Sequence, residues 1–353
     1  MSTHSFPAGI GAALLAAALF GASTPLAKAL LGGVEPVLLA GLLYAGSGIG
    51  LGLCLLARRI FGRTPSEAPL RWRDWPWLAG AIASGGVLGP ILLMLGLQRT
   101  PAATASLLLN LEGVLTAVIA WTVFRENVDR RVLLGMLLIV AGGVILSWSG
   151  DANLRIPVGS LLIVGACACW AIDNNLTRAV SGGDPLQIAA LKGSVAGMVT
   201  LALAFTRGTA VPEPIHALAA GLLGFAGYGI SLVLFVVALR HVGTARTGAY
   251  FSAAPFVGVV VSLLVLNEDP VSGFWLALAL MGLGIWLHIS ERHQHDHEHE
   301  ALAHEHRHRH DAHHQHAHDL PWEGQEPHTH THLHAPLVHR HPHFPDLHHR
   351  HRH

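Results

Sequence analysis

The chain has 353 residues, 51% of them hydrophobic and only 12% charged, and its formal net charge is zero. A soluble domain carries about 25% charged residues, so this composition excludes an ordinary soluble domain, and the balanced charge gives no reason to expect a nucleic-acid partner. The charge deficit is concentrated in the first 290 residues, and the remainder is a different polymer, with all but four of the 27 histidines (His4, His216, His241 and His288) between His293 and His353.

Apolar stretches of about 18–25 residues read as membrane helices. Ten are expected, at 8–31, 36–57, 75–97, 102–124, 130–148, 159–180, 185–206, 215–239, 245–266 and 271–289. The first begins near Met1 with no basic region ahead of it, so it is expected to be a membrane helix and not a cleavable signal. Short connections carrying Gly32-Gly33, Thr100-Pro101, Gly182-Gly183-Asp184 or Pro212 and Pro214 make successive helices antiparallel neighbours. Glycine clusters (Gly46, Gly48, Gly50 and Gly52; Gly221, Gly224 and Gly227) allow helix backbones to approach closely in lipid. Cys54, Cys167 and Cys169 all fall within apolar runs and read as small buried residues without a disulfide. Trp75, Trp77, Trp121, Trp148 and Trp275 fall near the expected span ends, where an aromatic belt belongs.

Basic residues set the orientation. With the N-terminus inside, the inner loops hold eleven, among them Arg58, Arg59, Arg125, Arg130 and Arg240, and the outer side holds Lys28, Arg99, Arg155 and Arg207. Ten spans then return the C-terminus to the inside. The expected location is the bacterial inner (plasma) membrane, with N-terminus and tail cytoplasmic.

Polar residues inside the spans are the candidates for function, because an ionisable group at mid-bilayer costs at least ~2.5–3.5 kcal/mol on insertion scales. Glu112 lies about ten residues into the fourth stretch and is placed to take a proton, a cation or a substrate amine; Asn110 is two residues earlier and points roughly the other way. Asp173, Asn174 and Asn175 make the most polar run in any span. Lys192 is placed to pair with Asp173 or Glu112, or to snorkel to the interface. Pairing suits a zwitterionic solute, whereas snorkelling leaves the acids free and suits a cation. Pro25 frees a carbonyl in the first span, so the first and sixth spans are expected to be locally broken. Pro90 and Pro255 fall mid-span and are kink candidates in the third and ninth.

The chain repeats itself. Leu19 to Lys28 aligns with Cys169 to Arg178, and Gly96 to Glu126 aligns with Ala238 to Glu268. Each half holds five expected helices, and an odd number forces the halves to insert in opposite orientations. The domain reading is 1–148, 149–290 and a tail at 291–353. In these features the chain resembles the EamA-type permeases of the drug/metabolite transporter superfamily. The tandem halves carry the resemblance over about 8–290, with the segment Leu19 to Lys28, Ala103-Thr104-Ala105-Ser106-Leu107, and the closing Phe124-Arg125-Glu126 and Leu266-Asn267-Glu268. It implies an all-α integral membrane fold of ten helices, alternating access, and export of amino acids, other metabolites or toxic compounds.

The tail alternates histidine with acids, arginine and small polar residues, as at His293, His295, His297 and His299 and at His304, His306, His308 and His310. Imidazole suits nickel, cobalt, zinc or copper, so the tail is expected to bind transition metals and to be disordered without them. No cofactor is required. Partners are a small solute or a divalent metal cation and the lipid bilayer; a homodimer stays open. Three readings remain: efflux of nickel, cobalt or zinc fed by the tail, export of amino acids or similar metabolites with the tail as metal buffer or sensor, and a membrane-anchored metal store. Neither a nucleophile–base constellation nor a phosphate-binding loop points to an enzyme.

Overall fold

A computed structural model describes residues 5–62, 70–123, 130–148, 157–178, 180, 184–242 and 244–289, and in the tail 296–299, 302–308, 328–334 and 337–340. The first half starts with α1 (Ser5–Leu30) and α2 (Pro36–Ile60). Glu35 caps α2 by accepting the Leu38 N–H at 2.8 Å, and Pro36 stands where a missing N–H is harmless. A 3-10 turn (Trp72–Asp74), α3 (Trp75–Ala81), a π-helical segment (Ile82–Leu88) and α4 (Gly89–Leu97) follow as one rod. Then come α5 (Ala102–Leu108), α6 (Leu111–Val123) and α7 (Arg130–Leu146). The second half comprises α8 (Val158–Arg178), α9 (Pro185–Thr206), α10 (Pro214–Gly224), a second π-helical segment (Phe225–Ile230), α11 (Ser231–Val242), α12 (Thr244–Phe251), α13 (Ala254–Val265) and α14 (Phe274–Ile289).

Among the described residues, seven helical stretches are long and apolar enough to cross a membrane: Gly9–Leu30, Pro36–Ile60, Trp72–Leu97, Ala102–Val123, Val158–Thr177, Pro185–Thr206 and Pro214–Ala238. The chain is an integral membrane protein. The other three expected spans are helical and shorter, as α7, as α12 with α13, and as α14.

The helix breaks are not where the sequence placed them. The expected breaks at Pro25 and at Asp173–Asn175 are overturned, since α1 runs through the proline and α8 through the polar run. Pro25 has no N–H for the Gly21 carbonyl, and Gly258 of α13 closes on that carbonyl: a Cβ on Gly258 would lie 2.9 Å from it. The polar run needs no break because each of its side chains has a partner on the helices around it. The interruptions fall instead at Leu109–Asn110, between α5 and α6, and at Ser252–Ala253, between α12 and α13. Pro255 is therefore in the first turn of α13, where proline fits, and not at a mid-helix kink. Pro90 opens α4 directly after the π segment, whose wider turn (Gly89 N–H to Ser84 O) absorbs the lost donor.

The halves interpack reciprocally. In this packing α1 lies against α11 and α13, α8 against α4 and α6, α2 against α9, and α7 against α14. Glycines set the closest approaches. A Cβ on Gly48 of α2 would lie 2.3 Å from the Ser194 nitrogen of α9, and one on Gly284 of α14 would lie 2.6 Å from the Gly135 carbonyl of α7. Such contacts hold helices by van der Waals packing where lipid offers no hydrophobic drive between them. The five tryptophans expected at the span ends are all exposed.

Where disorder was expected, the described parts of the tail are strands: β1 (Asp296–His299), β2 (Leu302–His308), β3 (His328–His334) and β4 (Leu337–Arg340). They pair antiparallel as β1 with β4 and β2 with β3. The every-second-residue histidine pattern has the strand period, which gives this backbone order its physical reason.

Candidate functional site

The polar run of α8 faces three ways, as residues about 100° apart on a helix must. Asp173 turns to α9, where Lys192 Nζ donates to its Oδ1 at 2.5 Å. Thr177, one turn on, donates its hydroxyl to the same oxygen at 2.8 Å and lies 3.2 Å from Lys192 Nζ. Asn174 turns to α6, donating Nδ2 to Glu112 Oε1 at 2.9 Å and lying 3.3 Å from Thr116 Oγ1. Asn175 acts as a clamp, with Nδ2 on the Ala171 carbonyl at 2.8 Å and the Thr116 carbonyl at 3.3 Å. Asp173 and Asn175 are buried, Glu112 is half-buried and Asn174 is exposed. Asp173 thus has its counter-charge. Glu112 receives an amide but, among the described residues, no cation in ion-pair contact.

Gly85 of the first π segment makes room for this cluster. A Cβ there would fall 2.1 Å from Asp173 Oδ2. Its carbonyl accepts two hydrogen bonds of 2.9 Å, from Tyr44 Oη and Trp170 Nε1. Tyr44 stacks at 5.6 Å on Tyr228, which meets Phe20 edge-on at 5.9 Å, and Phe20 continues to Phe251 at 5.5 Å. Asp173, Glu112 and Tyr228 all lie within electrostatic range of the Tyr44 hydroxyl. Carboxylates, an ammonium, amides and aromatic rings therefore share one region built from both halves.

Of the candidates, Glu112, Asp173, Asn174, Asn175 and Lys192 come together. Asn110 does not join them; its Nδ2 bonds the Leu107 carbonyl at 2.9 Å and lies 3.8 Å from Met281 Sδ, at the α5–α6 joint. Buried Cys167 places its Sγ 3.7 Å from the Leu108 carbonyl at the same joint. Sequence reasoning missed Thr116 and Thr177. Each lies one turn after an acid, so the i, i+4 rule could have found them. Tyr44, Tyr228 and Trp170 carry no such signal. His293, His295 and His310 lie outside the described residues, and His297, His299, His304, His306 and His308 are described in backbone only. Among the described residues no group of three or more His, Cys, Asp or Glu converges to hold a metal.

The profile of the EamA-like transporter family matches residues 7–148 and again 157–290. The chain belongs to the EamA-like transporter family. An uncharacterized transporter of Methanothermobacter thermautotrophicus is 29% identical to this EamA-like chain over 269 residues, 72% of this chain and 78% of that protein. A Pseudomonas aeruginosa protein named "Probable 4-amino-4-deoxy-L-arabinose-phosphoundecaprenol flippase subunit ArnE" is 43% identical over 114 residues, 32% of this chain and 96% of that one. A crystal structure superposes with a TM-score of 0.57 at 19% identity, covering 79% of this chain and 95% of the other, and that likeness shows the fold alone.

Proposed function

We propose that this chain is a secondary-active exporter whose ten membrane helices form two five-helix halves of opposite orientation, 1–148 and 149–290, ahead of a histidine-rich tail at 291–353. The twice-matching family profile, the recurrence of a π segment and a helix break in each half, and the reciprocal packing of α1 and α8 support this reading. A two-fold axis between inverted halves produces that exchange, and it puts the substrate site between them near mid-membrane. The N-terminus and tail are cytoplasmic, in the bacterial inner membrane.

The observation that carries the assignment is the meeting of Glu112, Asn174, Asp173 and Lys192 on three helices from both halves, beside Tyr44 and Tyr228. The Asp173–Lys192 pair is internally neutral. Glu112 is the carboxylate left to exchange a proton or to receive a cationic group, and aromatic faces nearby favour an ammonium. The cargo is therefore a small organic solute bearing an amine. The likeness to a probable flippase subunit named for a lipid-linked amino sugar supports a cargo bearing an amine.

Efflux of nickel, cobalt or zinc is the second reading, favoured by the tail's imidazoles. In the first reading the tail binds these metals as a buffer or sensor. Counterflow in proteoliposomes, with a panel of amino acids, amines, nickel, cobalt and zinc, decides between the two. Uptake of an amine that Glu112→Gln removes, and that survives deletion of 291–353, is expected. Metal counterflow lost with the tail would install the second reading instead.

A further inference from the structure

At the end of α1, far along the chain from the polar run, the turn between α4 and α5 is held from both sides. Glu268, in the loop after α13, accepts the Ala102 N–H at Oε1 (2.9 Å) and the Ala103 N–H at Oε2 (3.0 Å). These are amides of the first turn of α5, which no helical carbonyl can satisfy. Lys28, in the last turn of α1, donates Nζ to the carbonyls of Leu97 and, at 3.1 Å, Thr100. The ammonium and the Glu268 carboxylate are within electrostatic range of each other. Both border an open cavity of about 370 Å³, shared with Gln98, Arg99, Thr100, Pro101 and Asp269. The second half thus grips the donors of the turn, and α1 grips its acceptors.

From this geometry we propose that Glu268 and Lys28 are positioning residues of the transport cycle: together they form the releasable clamp that shuts one membrane face and, through α5, sets the place of Glu112. The inference rests on the transport reading above. Three observations favour a clamp over a static cap. First, it joins the two halves at one face, so that face cannot open while the clamp holds. Second, its bonds border a cavity open to water, which can replace them one by one, whereas the glycine-lined seams of α2 with α9 and α7 with α14 press backbone on backbone and cannot part without losing their packing. Third, α5 is seven residues long, buried throughout, and ends at the Leu109–Asn110 joint. Glu112 sits in the first turn of α6 just beyond, so only α5 and that joint separate the clamp from this carboxylate.

Two measurements on the full chain test the clamp. Ala102 has no exposed surface, so an Ala102→Cys variant in nanodiscs reports release through its reaction with a membrane-impermeant maleimide. Adding Glu268→Gln is expected to raise the labelling rate about fivefold or more, with Lys28→Met shifting it less in the same direction. An unchanged rate with Glu268→Gln overturns the clamp. The second measurement keeps Glu268 and Lys28 intact. A Gln98→Cys, Asp269→Cys pair is tied with a short reducible bis-thiosulfonate, and counterflow of whichever panel solute the parent carries is expected to stop and to return on reduction. Transport that continues in the tied protein shows a static cap and overturns the clamp. Should the parent carry no panel solute, the transport reading fails, while the labelling result still decides the clamp.

Discussion

The two halves build the same joint and fill it with different chemistry. In the first, a π segment presents Gly85 to α8, and the side chain that fits against it is Asp173; in the second, a π segment presents Gly227 to α1, and the side chain there is Ser23. Ser23 and Asp173 occupy the same place in the aligned segments Leu19–Lys28 and Cys169–Arg178. The helix that follows is broken in both halves, and the first residues after the break include Glu112 in one and Ala254 in the other. Backbone irregularity is thus duplicated, whereas of the two joints only the one at Gly85 carries the charged residues Asp173 and Glu112. On the transport reading proposed above, the irregularities belong to the scaffold and to how it moves, and the carboxylates belong to what it carries.

The largest effect should come from Glu112, which among the described residues has no cation in ion-pair contact. Glu112→Gln is expected to cut counterflow by more than about tenfold, near 1.4 kcal/mol or above, while Ala254→Ser stays within about twofold. Equal losses from both would erase the distinction between the halves.

Next is the paired charge. Lys192→Met strands the Asp173 carboxylate among buried neighbours and is expected to cost about 3 kcal/mol of stability. Adding Asp173→Ser, which copies the residue of the other half, should recover most of it. Melting of the detergent-solubilised variants reads both effects, and a double variant no more stable than the single would contradict the pairing.

The joints themselves come third. A Cβ at Gly85 would meet Asp173 Oδ2 at 2.1 Å, and one at Gly227 would meet the Ser23 Cβ at 2.7 Å. Gly85→Ala and Gly227→Ala should both destabilise, by about 1–3 kcal/mol. Gly85→Ala is expected to be the worse, because Asp173 is held by Lys192 and cannot swing away. Gly52, with nothing near its missing Cβ, is the control, and Gly52→Ala should be neutral or slightly stabilising. The smallest effect is Trp170→Phe. It removes one of two donors to the Gly85 carbonyl and should lower stability by about 1 kcal/mol.

Much of this protein could be read without its structure. Apolar runs of span length need no partner to be recognised, since the bilayer imposes their length and composition, and seven of the ten proved, among the described residues, to be helices long and apolar enough to cross a membrane. Charge where lipid penalises it picked out Glu112, Asp173 and Lys192 for the same local reason. The positions of the breaks were not legible. Proline 25 suggested one and did not make it; Leu109–Asn110 suggested none and is one.

What tertiary structure alone decided is which polar group meets which. Asp173, Asn174 and Asn175 are consecutive in the chain, yet one takes the Lys192 ammonium, one reaches Glu112 and one clamps a backbone carbonyl. Tyr44, Trp170 and Gly85 come from three separate elements to share a single acceptor. A periodic pattern records the solvent each face of a helix meets, because that is a property of the helix itself. The neighbour across the interface is a property of packing between distant segments, and it enters only when the halves close on each other.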